Sequence, residues 1–403
     1  MAYTVTTKQG YGKRVGNSFK GIGSGIALFI IGTALLWWNE GNTVKSTRAL
    51  NEASGVTVEM PDITQVNPEF EGKLVHAVGQ AMTGDVLNDD LFGITVNAMA
   101  LSRSVEYFQW VETSSSETKE KIGGGTETVT TYEYNREWTY SPVNSANFQD
   151  PDYQAVNSVL TTVEGKAVRA ENVTFGAYRL PGFLKSGISG SQAITPEPTD
   201  AQKEEWLKVI RAKDPEANFI INGNTVYLGA SPDNPRVGDV RITFDYVPTP
   251  QTISILAKVI GDTFEEYTAK NGKTVSRMAM GEHSTESMYE SAHKEVGLLK
   301  WLLRILGILL IVGGLKSIFD FISMVFAVVP FVKNLLSKGI GFVCWVIGLI
   351  WSFLIIGLAW IFYRPAVGIP LLVAAVALLV LLIVKKKNKP LPEAPAAPEV
   401  PQE

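Results

Sequence analysis

Residues 340–363 read IGFVCWVIGLIWSFLIIGLAWIFY, an apolar run without a charged side chain. A helix needs about 20 predominantly apolar residues to cross a bilayer core, so this stretch is long enough to span a membrane. Beyond it, Arg364-Pro365 makes a tight turn, and Ala366 to Val384 is apolar again. Upstream, Leu298 to Leu315 reads as a span once Lys300 and Arg304 snorkel their charged ends toward the interface. Near the start of the chain, Ile22 to Trp38 is just long enough. Four spans, with a long polar stretch between the first two, predict a multi-pass α-helical membrane protein.

Residues 1–20 read as a basic arm carrying Lys8, Lys13, Arg14 and Lys20, and 21–38 as the first span. Residues 39–297 read as a large extramembrane domain. Residues 298–315, 339–363 and 366–384 are the other spans, and 316–338 is a cytoplasmic or interfacial connection. Ser317 to Val332 reads as an interfacial helix or a broken span. Residues 385–403 form a basic, then Pro-rich, disordered tail. Short basic segments favour the cytoplasmic side. The arm, the connection and Lys385-Lys386-Lys387 then lie inside, with both termini, and the domain lies outside. Lys300 and Arg304 dissent, because they fall at the outer face.

The chain has 403 residues and a formal charge of −4, which argues against a nucleic-acid partner. Its single cysteine, Cys344, sits in an apolar run, so the domain must fold on its core without a disulfide. The first apolar run is followed by Trp37-Trp38-Asn39-Glu40 rather than by the small residues of a cleavage site, and reads as a retained anchor. Gly21, Gly25 and Gly32 fall on one face of that helix, where they would let another helix approach closely.

The domain reads as α+β, strand-dominated and mostly antiparallel. Val105 to Glu112 (VEYFQWVE) and Thr126 to Trp138 are rich in β-formers. They read as a hairpin with a long flexible tip, Thr113 to Gly125. If the two strands pair, Trp110, Glu112, Tyr134, Glu137 and Trp138 become neighbours. Thr199 with Gln202 fits a capping box opening a helix to Lys213. Asn222-Gly223 and Asn271-Gly272 signal hairpin turns. Val240 to Val247 alternates cleanly, and Lys73 to Val78 and Thr252 to Ile260 are further strands.

Chemical motifs are sparse. There is no HExxH, P-loop, GxSxG or CxxC. His283, Glu286, Glu290 and His293 share one helix face, and Glu290 with His293 has the Glu-x-x-His spacing of di-iron bundles. No second such pair exists, so these are weak metal candidates and the bland reading is a solvated face. His76 reads as a satisfied core residue. Asp320 in an apolar context flags a functional position. No catalytic residue and no cofactor is implied, and the chain reads as a non-enzyme.

Several stretches match one family in order and spacing. They are Asn39-Glu40-Gly41, Glu71-Gly72-Lys73-Leu74-Val75-His76, Val105 to Glu112, Tyr132 to Trp138, Val237-Gly238-Asp239-Val240-Arg241 and Phe362-Tyr363-Arg364-Pro365. On these the chain resembles the transmembrane protein 43 family, also called LUMA. The resemblance implies four membrane helices and a large lumenal or extracytoplasmic domain. It marks Glu40, Glu71, Trp110, Glu112, Tyr134, Glu137, Trp138, Asp239, Arg241 and Arg364 as structural or interface positions. It implies self-association and, in eukaryotic members, nuclear-envelope partners at the endoplasmic reticulum and inner nuclear membrane. The style of the chain favours a bacterial source, whose cytoplasmic membrane would hold it.

Three functions compete. One is a membrane-anchored scaffold, a homo-oligomer that binds an unidentified membrane or envelope protein and sits in the lipid bilayer. Another is a transporter or channel component using Asp320 and the glycine-rich helices. An enzyme working at the headgroup layer is the third.

Overall fold

The computed structural model describes residues 3–121, 125–325, 330–370 and 373. The elements that matter below, in chain order, are β1 (Tyr3–Gln9), α1 (Tyr11–Val56), β2 (Val58–Glu59), β3 (Leu74–Thr83), β4 (Ile94–Glu120) and β5 (Thr126–Thr139). After them come α2 (Asp200–Arg211), β6 (Asn218–Asn222), β7 (Thr225–Gly229), β8 (Val240–Pro248), β9 (Gln251–Ile260), α3 (Thr285–Val325) and α4 (Pro330–Tyr363). Shorter strands lie between them.

The chain divides into two compact units. One comprises Met1–Ser18, Lys45–Val296 and Ser323–Leu335, and holds the strands. The other comprises Phe19–Val44, Gly297–Ile322 and Leu336–Glu403. Among the described residues three helices are long and apolar enough to cross a membrane, over Gly21–Val56, Thr285–Asp320 and Gly341–Tyr363. The expected fourth span, Ala366 to Val384, lies mostly outside the described residues, as does the tail 385–403.

Among the described residues the strand-rich unit is built on two large sheets and one two-stranded hairpin. The first has nine strands and runs β1-β5-β4-β8-β7-β6, with three short strands off that path. Period-two alternation fixes its inner face. Val240, Ile242 and Phe244 of β8 are fully buried, while Arg241, Thr243 and Asp245 between them are only half-buried. They pack with Leu101, Val105, Val226 and Leu228, and Ile210 of α2 closes this core. Helix α2 begins at the expected capping box: the Thr199 side chain accepts from Gln202 N, and the Gln202 side chain answers to Thr199 N.

The second sheet has seven strands and centres on β3 paired antiparallel with β9. Strand β2 joins β3 in parallel. Its core holds Val75, Ala77, Phe175, Tyr178, Ile253 and Ile255. A third cluster gathers Ala49, Leu50 and Ala53 of α1 with Leu74, Leu256, and Met288, Tyr289 and Ala292 of α3.

Several expectations need correction. Helix α1 does not stop at Trp38. Ala49, Leu50 and Ala53 keep a helical spacing and bury a face, so residues 39–56, expected in the domain as non-membrane chain, continue the first helix. The tip expected over Thr113 to Gly125 is far shorter. Strands β4 and β5 stay in register to Glu120↔Thr126, because Ser and Thr side chains continue the ladder. Ser116 pairs its hydroxyl with that of Thr130, and Thr118 with Thr128, each at 2.9 Å. The connection 316–338 is helical at both ends, with α3 running to Val325 and α4 starting at Pro330.

The Asn-Gly turns also shift. Asn222 pairs with Thr225, so the two-residue turn is Gly223-Asn224 with positive φ at Gly223 alone, as a Gly-first hairpin turn requires. The other hairpin closes over five residues between Thr268 and Thr274, with Gly272 at φ +80.

The basic arm is not a free segment. Tyr3 to Gln9 pair antiparallel with Tyr132 to Thr126 over seven residues.

His76 lies buried in β3 between two acceptors. Its Nδ1 is 2.6 Å from Glu59 Oε2 and its Nε2 is 2.9 Å from the His283 carbonyl. Thr285 at the start of α3 donates to the other Glu59 oxygen. Burial works to raise the Glu59 carboxyl, but the bonds from Thr285 and His76 outweigh it and hold it below its ordinary value of 4.5.

Two measurements check these readings. A Thr4→Cys/Thr131→Cys pair, directly opposed in the ladder, is expected to close an intrachain disulfide on mild oxidation. A chain that stays reduced would show that the arm does not pair with β5. For Glu59, a lowered carboxyl contributes stability that is present above the ordinary value and fades as pH falls through the folded one. The stability advantage of the native chain over Glu59→Gln should therefore shrink below pH 4.5 in thermal melts; an advantage constant from pH 7 to 3 contradicts the linkage.

Candidate functional site

Most of the family-like positions fall in two places. The first lies within the helical unit. Glu40 of α1 is 1 % exposed and faces Arg304 of α3, which is 8 % exposed. Arg304 Nε donates to Glu40 Oε1 at 2.6 Å, and Trp360 Nε1 of α4 donates to Glu40 Oε2 at 2.9 Å. The guanidinium also lies over the rings of Trp301 and Trp360, 4.9 and 5.8 Å from their centroids. The residues flanking Glu40 are engaged too. Asn39 Nδ2 donates to the Lys300 carbonyl at 3.0 Å. Gly41 lies against Tyr363, where an added Cβ would come 2.6 Å from Cζ. The dissenting Arg304 is thus explained, because an apolar bundle tolerates a guanidinium that a carboxylate neutralises.

The glycine face of α1 is occupied within the same chain. A Cβ on Gly25 would lie 2.7 Å from the Gly314 carbonyl oxygen, and one on Gly32 would lie 2.8 Å from that of Gly307. Gly314 returns the contact on Gly25, and Gly307 fits against Leu36. Gly21 is looser, 4.0 Å from the Ser317 oxygen. The small residues bring α1 against α3, so this face is not free to pair with a second copy.

The second place is the base of the β4–β5 hairpin. The register sets Phe108 opposite Trp138, Gln109 opposite Glu137, Trp110 opposite Arg136 and Glu112 opposite Tyr134. Tyr134 donates to Glu112 Oε2 at 2.6 Å and accepts from Asp150 N at 2.9 Å. Its ring stacks on Tyr153 with 4.2 Å between centroids. Burial, then the Glu112 carboxylate, pushes the Tyr134 hydroxyl up to about 12. Trp110 meets Tyr153 edge-on, and Arg136 covers its ring.

Trp138 is covered by Arg241, whose guanidinium is 4.4 Å from the ring centroid. Arg241 Nε donates to Glu106 Oε2 at 2.8 Å. Nearby, Asp239 is buried and accepts from the Tyr227 hydroxyl and from Arg236 N. Burial raises the Asp239 carboxyl, and burial together with Asp239 raises the Tyr227 hydroxyl. Gly229 leaves room for this carboxyl, since a Cβ there would collide with Asp239 Cγ.

Other expected positions fall outside both clusters. Glu137 is exposed on the hairpin. Glu71 Oε2 accepts from Gly261 N at 2.9 Å. Arg364 sits at the end of α4, its backbone N–H bonded to the Trp360 carbonyl. Of the weak metal candidates, Glu290 is exposed and pairs with Lys294 at 2.7 Å. Among the described residues no group of three or more His, Cys, Asp or Glu is placed to hold a metal ion. Asp320 is exposed on α3. Sequence reasoning missed Trp360 and Tyr227 as partners, and it missed the buried Arg103–Asp89 pair at 2.8 Å. No local spacing could have matched Glu40 to residues more than 260 positions away.

Residues 107–365 match the family model described as Transmembrane protein 43. The chain belongs to the transmembrane protein 43 family. The mouse protein of that name is 28% identical over 372 residues, covering 90% of this chain and 89% of its own length. The human protein is 27% identical over 392 residues, with 95% and 94% covered. A fruit-fly homologue is 27% identical over 358 residues, with 87% and 90% covered. No solved structure matches. The matched span holds the hairpin base, Asp239, Arg241, Arg304 and Trp360, whereas Glu40 lies before it.

Breaking the Glu40–Arg304 pair should be costly, because a buried charge left alone loses about 3–5 kcal/mol. Arg304→Leu and Glu40→Leu are each expected to lower the thermal midpoint in detergent sharply, and the double variant to recover most of the loss. Single variants that melt like the native chain would show that the pair does not hold the bundle.

Proposed function

We propose that this family member is a membrane-anchored organiser whose strand-rich domain assembles with itself or with another membrane protein. The observation that carries the reading is the β4–β5 hairpin. Beyond Tyr107, β4 leaves β8 and continues with β5, ending in exposed Thr113 to Lys119. A strand running this far past β8 adds little to the core and offers backbone and polar side chains to a partner. The family-like side chains are engaged with one another at the hairpin base, which supports a role in holding the hairpin rather than in chemistry. The charge pattern of the sequence supports a cytoplasmic side for the α3–α4 connection and the opposite side for the domain. In a bacterium this reading puts the protein in the cytoplasmic membrane. The transporter alternative loses support, because Gly25 and Gly32 are used in packing α1 against α3.

The test is the mass of the full chain in lipid nanodiscs, beside a variant lacking residues 114–132 with a two-residue turn in their place. A defined assembly of several copies, or of this chain with a membrane protein, that falls apart in the variant is the expected result. A single copy from native membranes with nothing bound would sink the organiser reading.

A further inference from the structure

Strand β4 carries hydrogen-bonding groups on two edges. On one edge it pairs with β5 as far as Glu120. On the other it pairs with β8 only as far as Tyr107. Past that point the edge is finished by substitutes. Phe108 exchanges bonds with Asp239 O and Gly238 N. Asn157 then imitates a strand, accepting from Trp110 N and donating to Trp110 O, each at 2.9 Å. By alternation, the N–H and C=O groups of Ser114, Ser116 and Thr118 point the same way as those of Trp110. Among the described residues no strand pairs with that edge, and the side chains of Thr113 to Lys119 are exposed. The stretch contains no proline or bulge of the kind that usually protects an edge.

We propose that this open edge pairs with the same edge of a second copy, antiparallel and centred on Thr118. The inference rests on the self-assembly reading above and names its interface. The charges select the register. A two-fold axis at Glu117 would oppose two carboxylates. An axis at Ser116 would oppose Ser115 to Glu117 and Thr113 to Lys119, without an ion pair. The axis at Thr118 sets Lys119 of each copy opposite Glu117 of the other, so two ion pairs form. It also makes Thr118 the central pair, with its outward N–H and C=O groups exchanging both bonds. Lys119 and Glu117 already lie on one face of their own strand, with Nζ to Oε1 at 3.5 Å and both side chains largely exposed. Two copies therefore bring four charges together in alternating sign.

The experiment uses the full chain in nanodiscs under mild oxidation. Opposed Thr118 residues would have Cα atoms about 5.5 Å apart, within the disulfide range of about 4.4–6.8 Å. Thr118→Cys is expected to give a covalent dimer. Ser114→Cys is not, because its two copies would sit about 27 Å apart along the strands. Lys119→Glu should lower the dimer fraction about tenfold, as two cross-strand attractions become repulsions. Adding Glu117→Lys to it should restore the dimer, a recovery that damage to the fold would not produce. An assembly seen by mass without the Thr118→Cys cross-link overturns this edge and leaves self-assembly standing. A monomer by mass overturns both. A cross-link without rescue by the double exchange overturns the register.

Discussion

A guanidinium buried among apolar helices is stable only beside an anion, and in this protein that anion is Glu40. The carboxylate takes one bond from Arg304 of α3 and one from Trp360 of α4, so one residue of α1 fixes its position against both other helices. The close approach of Gly25 to Gly314 and of Gly32 to Gly307 fits the same arrangement. Glycine contacts bring two backbones together but leave them free to slide. The ion pair cannot slide, since a shift of one turn would strand both charges. Packing supplies proximity, and the ion pair supplies the register.

The strand-rich unit depends on a comparable device at β4. This 27-residue strand is shared in turn by several short partners, by β8 and by β5. Where it leaves β8, backbone pairing gives way to Asn157, and aromatic and charged side chains take over from aliphatic ones. Trp138 under Arg241, and Tyr134 between Glu112 and Tyr153, clamp the start of the hairpin. Rings and ion pairs suit the stretch where β4 and β5 pair only with each other, beyond β8 and before β1 joins them.

Much of this was legible in the sequence where the signal is local. Period-two alternation gave β8, the Thr199/Gln202 capping box gave α2, and unbroken apolarity gave the long helices. The cross-strand neighbours of Trp110 to Glu112 follow from pairing two adjacent segments. The errors arise where context overrides pattern. Serine and threonine after Glu112 look like loop, yet continue a strand because β5 opposes them in register. Residues 39–56 look like domain, yet remain helical because Ala49, Leu50 and Ala53 find a buried face. The arm 1–20 looked like a solvated basic segment because β5, its partner, lies more than 115 positions away.

These distances bear on the candidate site. Residues that catalyse must converge on a shared space in which a substrate can sit. The family-like residues converge on each other instead: Glu40 on Arg304, Glu112 on Tyr134, Asp239 on Tyr227. Each of these carboxylates accepts two hydrogen bonds from donors elsewhere in the chain. Glu117 and Lys119 stand differently, exposed beyond the clamp on an edge whose backbone groups face outward. In the proposed assembly, the firmly held base of the ribbon would present this accessible polar end to the second copy.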